Sequence, residues 1–195
     1  MNMLNHYEAN GYNYAKHMFD VAGTITPDLD NGTIILTLQT IDDAPIHFTL
    51  DGSEPTEESP VYTEPVVISE SADIKAIAFR PQGNDSKTYK NSVSFNKATA
   101  RPVTLVNDPH PSYAAQKGVT LVDGKFGTTS FNNGDWVGFA GKDLIADINL
   151  ESEQEISSVA LRTNVDTQSW IFDAREIEVA VSADGKNFKT VASQT

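Results

Sequence analysis

GKDLIADINL (residues 141–150), EISSVALRTN (155–164) and TQSWIFDAREIEVAVSADGKNF (167–188) make up the stretch on which the fold turns. Its alternation is the clearest in the chain. Leu144, Ala146, Ile148 and Leu150 fall on one face, with Ile145, Asp147 and Asn149 on the other. Ile177, Val179 and Val181 alternate in the same way with Glu176, Glu178 and Ala180. A period of two with one apolar face predicts half-buried antiparallel strands. Ala183-Asp184-Gly185-Lys186 supplies a turn between them, because Asp-Gly tolerates the positive φ that a tight turn needs.

Bulk properties narrow the function classes. With 195 residues the chain has room for one or two domains. It carries 14 basic and 27 acidic residues, a net charge of −13. So acidic a chain repels phosphate backbones and anionic lipid, which argues against nucleic acid and membrane surfaces as partners. Cysteine is absent, so there are no disulfides and no thiolate metal ligands. No apolar run reaches the length of a membrane helix. The N-terminal MNMLNHYEANGYNYAKHMFDV lacks the basic-then-apolar order of a signal peptide, so an exported parent would carry its signal outside this chain.

Working back from the opening stretch, residues 21–98 read as all-β. Strands are expected at Thr33 to Gln39, Ile46 to Leu50, Asp73 to Phe79 and Tyr89 to Phe95, divided by Gly, Pro, Ser and Asp clusters. Asp51-Gly52 reads as a turn and Pro55 as the stiffener of the loop after it. Asp51, Ser53 and Thr56 can bond local backbone, and Tyr62 is expected to pack over the turn. Residues 1–20 are mildly helical, with Tyr14, Met18 and Val21 spaced as i, i+4, i+7, and Gly23 and Pro27 ending any helix. ATARP, residues 98–102, is the expected domain boundary, with VTLV from Val103 as the next strand.

Three motifs resemble known families. HFTLDGSEPT from His47, followed by Ser59, Tyr62 and Pro65, resembles the hallmark of the chitobiase or β-hexosaminidase C-terminal domain. GYNYAKHMFDV, residues 11–21, is similar to the last helix of the catalytic barrel in bacterial family-20 glycoside hydrolases, the β-N-acetylhexosaminidases. Trp136-Val137-Gly138 with ADINL, the I-x-x-V-x-L of Ile156 to Leu161, and EVAVSADGKNFKTV resemble the discoidin, or coagulation factor 5/8 type C, family. These resemblances imply an all-β chain in three parts. Residues 1–20 would be a helical remnant, 21–98 an immunoglobulin-like sandwich, and 101–195 a discoidin-like, galactose-binding-like jelly roll, shortened by the loss of its closing strands. They also imply an accessory region of an exported bacterial β-N-acetylhexosaminidase, beside an upstream catalytic domain of the same polypeptide.

No reaction is assigned to the chain itself. The family-20 resemblance implies an adjacent Asp-Glu pair in a barrel, and no such pair stands here. His6, His17, His47 and His110 have neither a nucleophile nor a zinc ligand at a recognisable spacing. Sugar binding is the expected chemistry, since sugar rings lay C–H faces on aromatics and offer hydroxyls to Asn, Asp, Arg and His. The discoidin resemblance places such a site on loops that carry His110, Tyr113, Phe131, Asn132, Asn133 and Asp135, with Arg162, Asn164 and Trp170 from the segment beyond. The expected ligand is a glycan ending in an amino sugar or a galactose-type unit. Trp136 reads as core. Trp170, followed by Ile171 and Phe172, reads equally as packing or platform, and Tyr113 and Phe131 are expected to be more exposed than either tryptophan. The same resemblance implies a structural calcium ion at Asp123, with the Thr128 carbonyl contributing. The alternatives to sugar binding are a structural spacer that packs on the catalytic barrel and a protein-adhesion module.

Overall fold

The computed structural model describes residues 3–13, 15–80 and 84–195. Tyr14, which anchors the expected N-terminal helical pattern, lies outside them. Among the described residues the fold is all-β apart from one short α-helix, α1 (Met3–Ala9), and a few 3-10 turns, of which Lys16–Phe19 is the first. It divides into two compact units, residues 1–100 with 121–126, and residues 101–120 with 127–195.

The first unit is a sandwich of two antiparallel sheets. One has the order β1-β2-β4, from β1 (Ala22–Asp28), β2 (Thr33–Gln39) and β4 (Val66–Ile68). The other has the order β3-β5-β6, from β3 (Ile46–Thr49), β5 (Ala72–Ala78) and β6 (Tyr89–Val93). Alternation decides which side chains go inward. Ile34, Leu36 and Leu38 of β2 are buried, as are Ala72, Ile74, Ala76 and Ala78 of β5. Both sheets feed one core, which Ile25, Ile46, Ile68 and Val93 complete. Small alanines face bulky residues across the ladder, with Phe48 beside Ala76 and Ile46 beside Ala78. Tyr62 packs edge-on against Phe48, with ring centroids 6.5 Å apart.

Two sequence expectations change here. Gly23 and Pro27 do not merely stop a helix; both lie in β1, an edge strand where a residue without an N–H is tolerated. Leu121–Phe126, expected in the second domain, groups with the first unit. Ala100 donates its N–H to the Val122 carbonyl at 2.7 Å and Ser94 to that of Gly124 at 2.8 Å. Gly124 takes φ +71°, and a Cβ there would meet Thr99 and Val93 at 3.2 Å, so the close approach requires glycine.

The second unit has two small sheets. β7 (Val103–Leu105) pairs with β8 (Ala146–Ile148), and β9 (Ile177–Val181) with β10 (Lys189–Gln194), both antiparallel. The expected strand over Ile156 to Leu161 does not form, and Ile156, Val159 and Leu161 are exposed. Apart from Pro109, the apolar side chains of this unit are half-buried or exposed; the chain's hydrophobic core cluster lies in the first unit. No helix among the described residues is long and apolar enough to cross a membrane.

Candidate functional site

Two loops of the second unit meet around Gly138. The first carries a 3-10 turn at Pro111–Tyr113, which His110 caps by accepting the Ser112 N–H at Nδ1, 3.3 Å away. Pro111 suits the first turn because it has no N–H to satisfy. Tyr113 donates its N–H back to the His110 carbonyl at 2.8 Å. That tight turn brings the His110 and Tyr113 rings to a centroid separation of 5.6 Å. Gly138 then locks the turn from the second loop, accepting from the His110 N–H at 2.7 Å and donating to the Tyr113 carbonyl at 2.9 Å. A Cβ at Gly138 would stand 3.0 Å from the Tyr113 Cβ, which explains a glycine two residues after Trp136.

The second loop braces itself. Trp136 donates its indole N–H to the Thr128 carbonyl at 2.8 Å, and its ring covers Gly127, where a Cβ would fall 2.4 Å from it. Trp136 is half-buried and structural. Asn133 bridges Thr128 Oγ1 at 2.9 Å and Asp135 Oδ2 at 2.6 Å, while Asn132 accepts from Ser130 Oγ at 2.9 Å. Phe131, half-buried beside this brace, meets Tyr113 edge-on, with centroids 6.1 Å apart. His110, Tyr113 and Phe131 are therefore one aromatic row, flanked by the amide and carboxylate groups of Asn132, Asn133 and Asp135. Tyr113 is 42% exposed.

The remaining sugar-binding candidates lie on the segment after residue 160. Asp166 organises it. Its carboxylate accepts from the Gln168 N–H at 3.1 Å, the Ser169 N–H at 3.3 Å and Ser169 Oγ at 2.7 Å. The hydroxyl bond from Ser169 is the main reason that its carboxyl titrates below the ordinary range. Backbone bonds between Asp166 and Ile171, at 2.9 and 3.0 Å, close the loop. Trp170 at its tip adopts a left-handed backbone, φ 60°, a conformation that costs a non-glycine residue roughly 1–2 kcal/mol. Its side chain is 83% exposed, and it meets Phe172, itself 64% exposed, at a centroid distance of 6.4 Å and an angle of 85°.

Trp170 thus reverses one expectation, since it is more exposed than Tyr113 rather than less. Its apolar neighbours read equally as packing or platform, and with Asp166 capping the turn before it Trp170 stands at the surface. Phe172 and Asp166 were not singled out from sequence. The W-x-F spacing of Trp170 and Phe172 was the available signal for a nearby aromatic pair. Arg162 is exposed. Asn164 is half-buried, and its amide nitrogen is enclosed without a hydrogen-bond partner, so that nitrogen faces protein and not a ligand.

Asp123 does not fit the calcium ion that the family resemblance implies. Its buried carboxylate accepts the Lys125 N–H at 2.9 Å and pairs with Lys125 Nζ at 3.4 Å, so a cation already sits against it. The Thr128 carbonyl accepts the Trp136 indole. No group of three or more His, Cys, Asp or Glu side chains among the described residues is placed to hold a metal ion. His47 serves the sandwich: its Nδ1 lies 2.9 Å from the Ser59 carbonyl, and its ring stands edge-on to Phe79 at 5.3 Å.

No curated protein matches the chain. Residues 36–93, from within β2 to the end of β6, are similar to the family described as Fn3 associated.

Proposed function

We propose that the chain is a non-catalytic accessory region that binds carbohydrate through its second unit. The observation that carries this reading is the row of exposed His110 and Tyr113 with half-buried Phe131, beside Asn132, Asn133 and Asp135. Such a row offers ring faces and edges to the C–H surface of a sugar, and side-chain amides and a carboxylate to its hydroxyls. Trp170 and Phe172 supply a further exposed aromatic surface, suited to a second sugar unit. An accessory role beside a β-N-acetylhexosaminidase agrees with the hallmark at Asp51-Gly52-Ser53 and with the Fn3-associated match. In that setting the module raises the local concentration of a tethered catalyst at a polymeric glycan without new chemistry. Export of the parent protein belongs to the same reading.

A second reading takes the Trp170–Phe172 pair as a contact for protein, either an adhesion partner or a neighbouring domain. Large exposed aromatics are the residues that anchor such interfaces. A glycan array with the purified chain separates the two. Retention on amino-sugar or galactose-type termini, lost in Tyr113→Ala, supports sugar binding; an array with no signal above background sinks it.

A further inference from the structure

β9 and β10 form a sheet of two strands, so among the described residues each presents one edge without a neighbour. An unpaired edge is a row of backbone N–H and C=O groups ready for another strand. The two edges are not alike. β10 opens with Lys189, and its register shifts between Thr190 and Ala192. A bulge and a lysine both blunt an edge. β9 has no proline, glycine or lysine, and it bears the apolar stripe Ile177, Val179 and Val181, of which Val181 is exposed.

The sequence of β9, IEVAV, is also self-complementary. With a second β9 laid antiparallel and Val179 on the twofold axis, Ile177 falls opposite Val181 of the partner subunit. Val179 then meets its own counterpart, and Glu178 lies opposite Ala180 of the partner subunit. Apolar meets apolar on one face, and no charge directly opposes its like on the other. Just outside the strand, Glu176 falls opposite Ser182 of the partner subunit. Moving the axis to Glu178 would oppose that carboxylate to itself, which is unfavourable. Moving it to Ala180 would set Ile177 against Ala183 of the partner subunit, in the turn.

We propose that the β9 edge is a self-association surface, on which two copies of this chain pair antiparallel about Val179. The product is a four-stranded sheet of order β10-β9-β9-β10. A twofold contact of this kind closes on itself, and its outer edges are the blunted β10 strands, so association stops at the dimer. The inference does not rest on sugar binding.

The test is sedimentation equilibrium and amide exchange on the full chain. A reversible dimer is expected, with protection at 177–181 that rises with protein concentration and protection at 189–194 that does not. Ala180→Glu places a carboxylate opposite Glu178 twice per dimer and should weaken association roughly two- to thirtyfold. Glu178→Lys/Ala180→Glu opposes unlike charges and should restore it. Both positions are exposed, so these variants leave the core intact. Glu178 accepts from Thr190 Oγ1 at 3.1 Å, and Glu178→Lys alone controls for that loss. A chain that stays monomeric at the highest concentration attained overturns the proposal. So does a dimer indifferent to the charge exchange, or one that protects β10 instead.

Discussion

Asp42→Ala should be among the most damaging single changes in the first unit. Asp42 and Arg80 form a buried pair whose side chains are 4% and 3% exposed. The contact is bidentate, with Arg80 Nη2 at 2.9 Å from Oδ1 and Nε at 3.0 Å from Oδ2. The same guanidinium donates to the Phe19 carbonyl at 2.7 Å and lies 6.0 Å from the centroid of its ring, so it also ties the segment leading into β1 to the sandwich. Removing one partner of such a pair leaves a charge enclosed without a countercharge, at a cost of about 3–5 kcal/mol. Because the Phe19 carbonyl stays within reach, the lower end applies, about 3 kcal/mol. In a unit of this size each kcal/mol lowers the melting temperature by about 4–8 °C, giving a drop of roughly 12–24 °C by calorimetry. The double replacement Asp42→Leu/Arg80→Met should recover most of the loss, since apolar residues need no countercharge. A melting temperature for Asp42→Ala within about 2 °C of wild type would show that water reaches the guanidinium. A double variant no more stable than the single would refute the desolvation argument as well.

Two other outcomes follow from local geometry. In Gly23→Ala the new Cβ would fall 2.4 Å from Cζ of Tyr89, so the ring must move; a loss of about 1–3 kcal/mol in urea denaturation is expected, and a smaller loss when the same change is made in a Tyr89→Ala background. Asp184 accepts the N–H groups of Asn187 and Lys186, which hold its carboxyl well below the ordinary 3.8. The folded value lies below the unfolded one, so this contribution to the β9–β10 turn is complete above about pH 4 and fades as pH falls below it. Carboxyl and amide resonances followed by NMR should show Asp184 still ionised at about pH 3, where an ordinary aspartate is mostly protonated, and Asp184→Ala should loosen the turn at neutral pH; an ordinary titration midpoint would contradict the hydrogen-bond account.

Strands of the first unit were legible in the sequence wherever one face meets the core. Ile34, Leu36 and Leu38 repeat every second residue, as do Ile74, Ala76 and Ala78, because the sandwich sorts side chains by pleat. β1 escaped because Gly23 and Pro27 are ordinarily breakers, and only its place at the edge makes them acceptable. β4 is three residues long and leaves almost no period to read. In the second unit the alternating segments gave β8 and β9, whereas the strand over Ile156 to Leu161 was implied by the family resemblance alone. Ile156, Val159 and Leu161 are spaced three and two apart, and a motif does not supply a neighbour to pair with. The aromatic row was legible as residues and not as an arrangement. His110 and Tyr113 meet Phe131 only because Gly138 fastens one loop to the other, a contact that no local spacing announces. The exposure of Trp170 depends on the hydrogen bonds of Asp166, four residues before it.

The most direct test of the account is titration calorimetry of the chain with the glycan terminus that an array selects. One shallow site with one or two stacked rings should give an affinity in the millimolar to high-micromolar range, about −4 to −6 kcal/mol. Phe131→Ala breaks the ring contact with Tyr113, and Trp170→Ala removes the exposed platform. Phe131→Ala should abolish the heat of binding and Trp170→Ala should weaken it, both leaving the melting transition of the first unit in place. Binding that persists unchanged in both variants, or a wild-type chain that gives no heat with any amino-sugar or galactose-type terminus, would contradict the claim that these loops hold sugar.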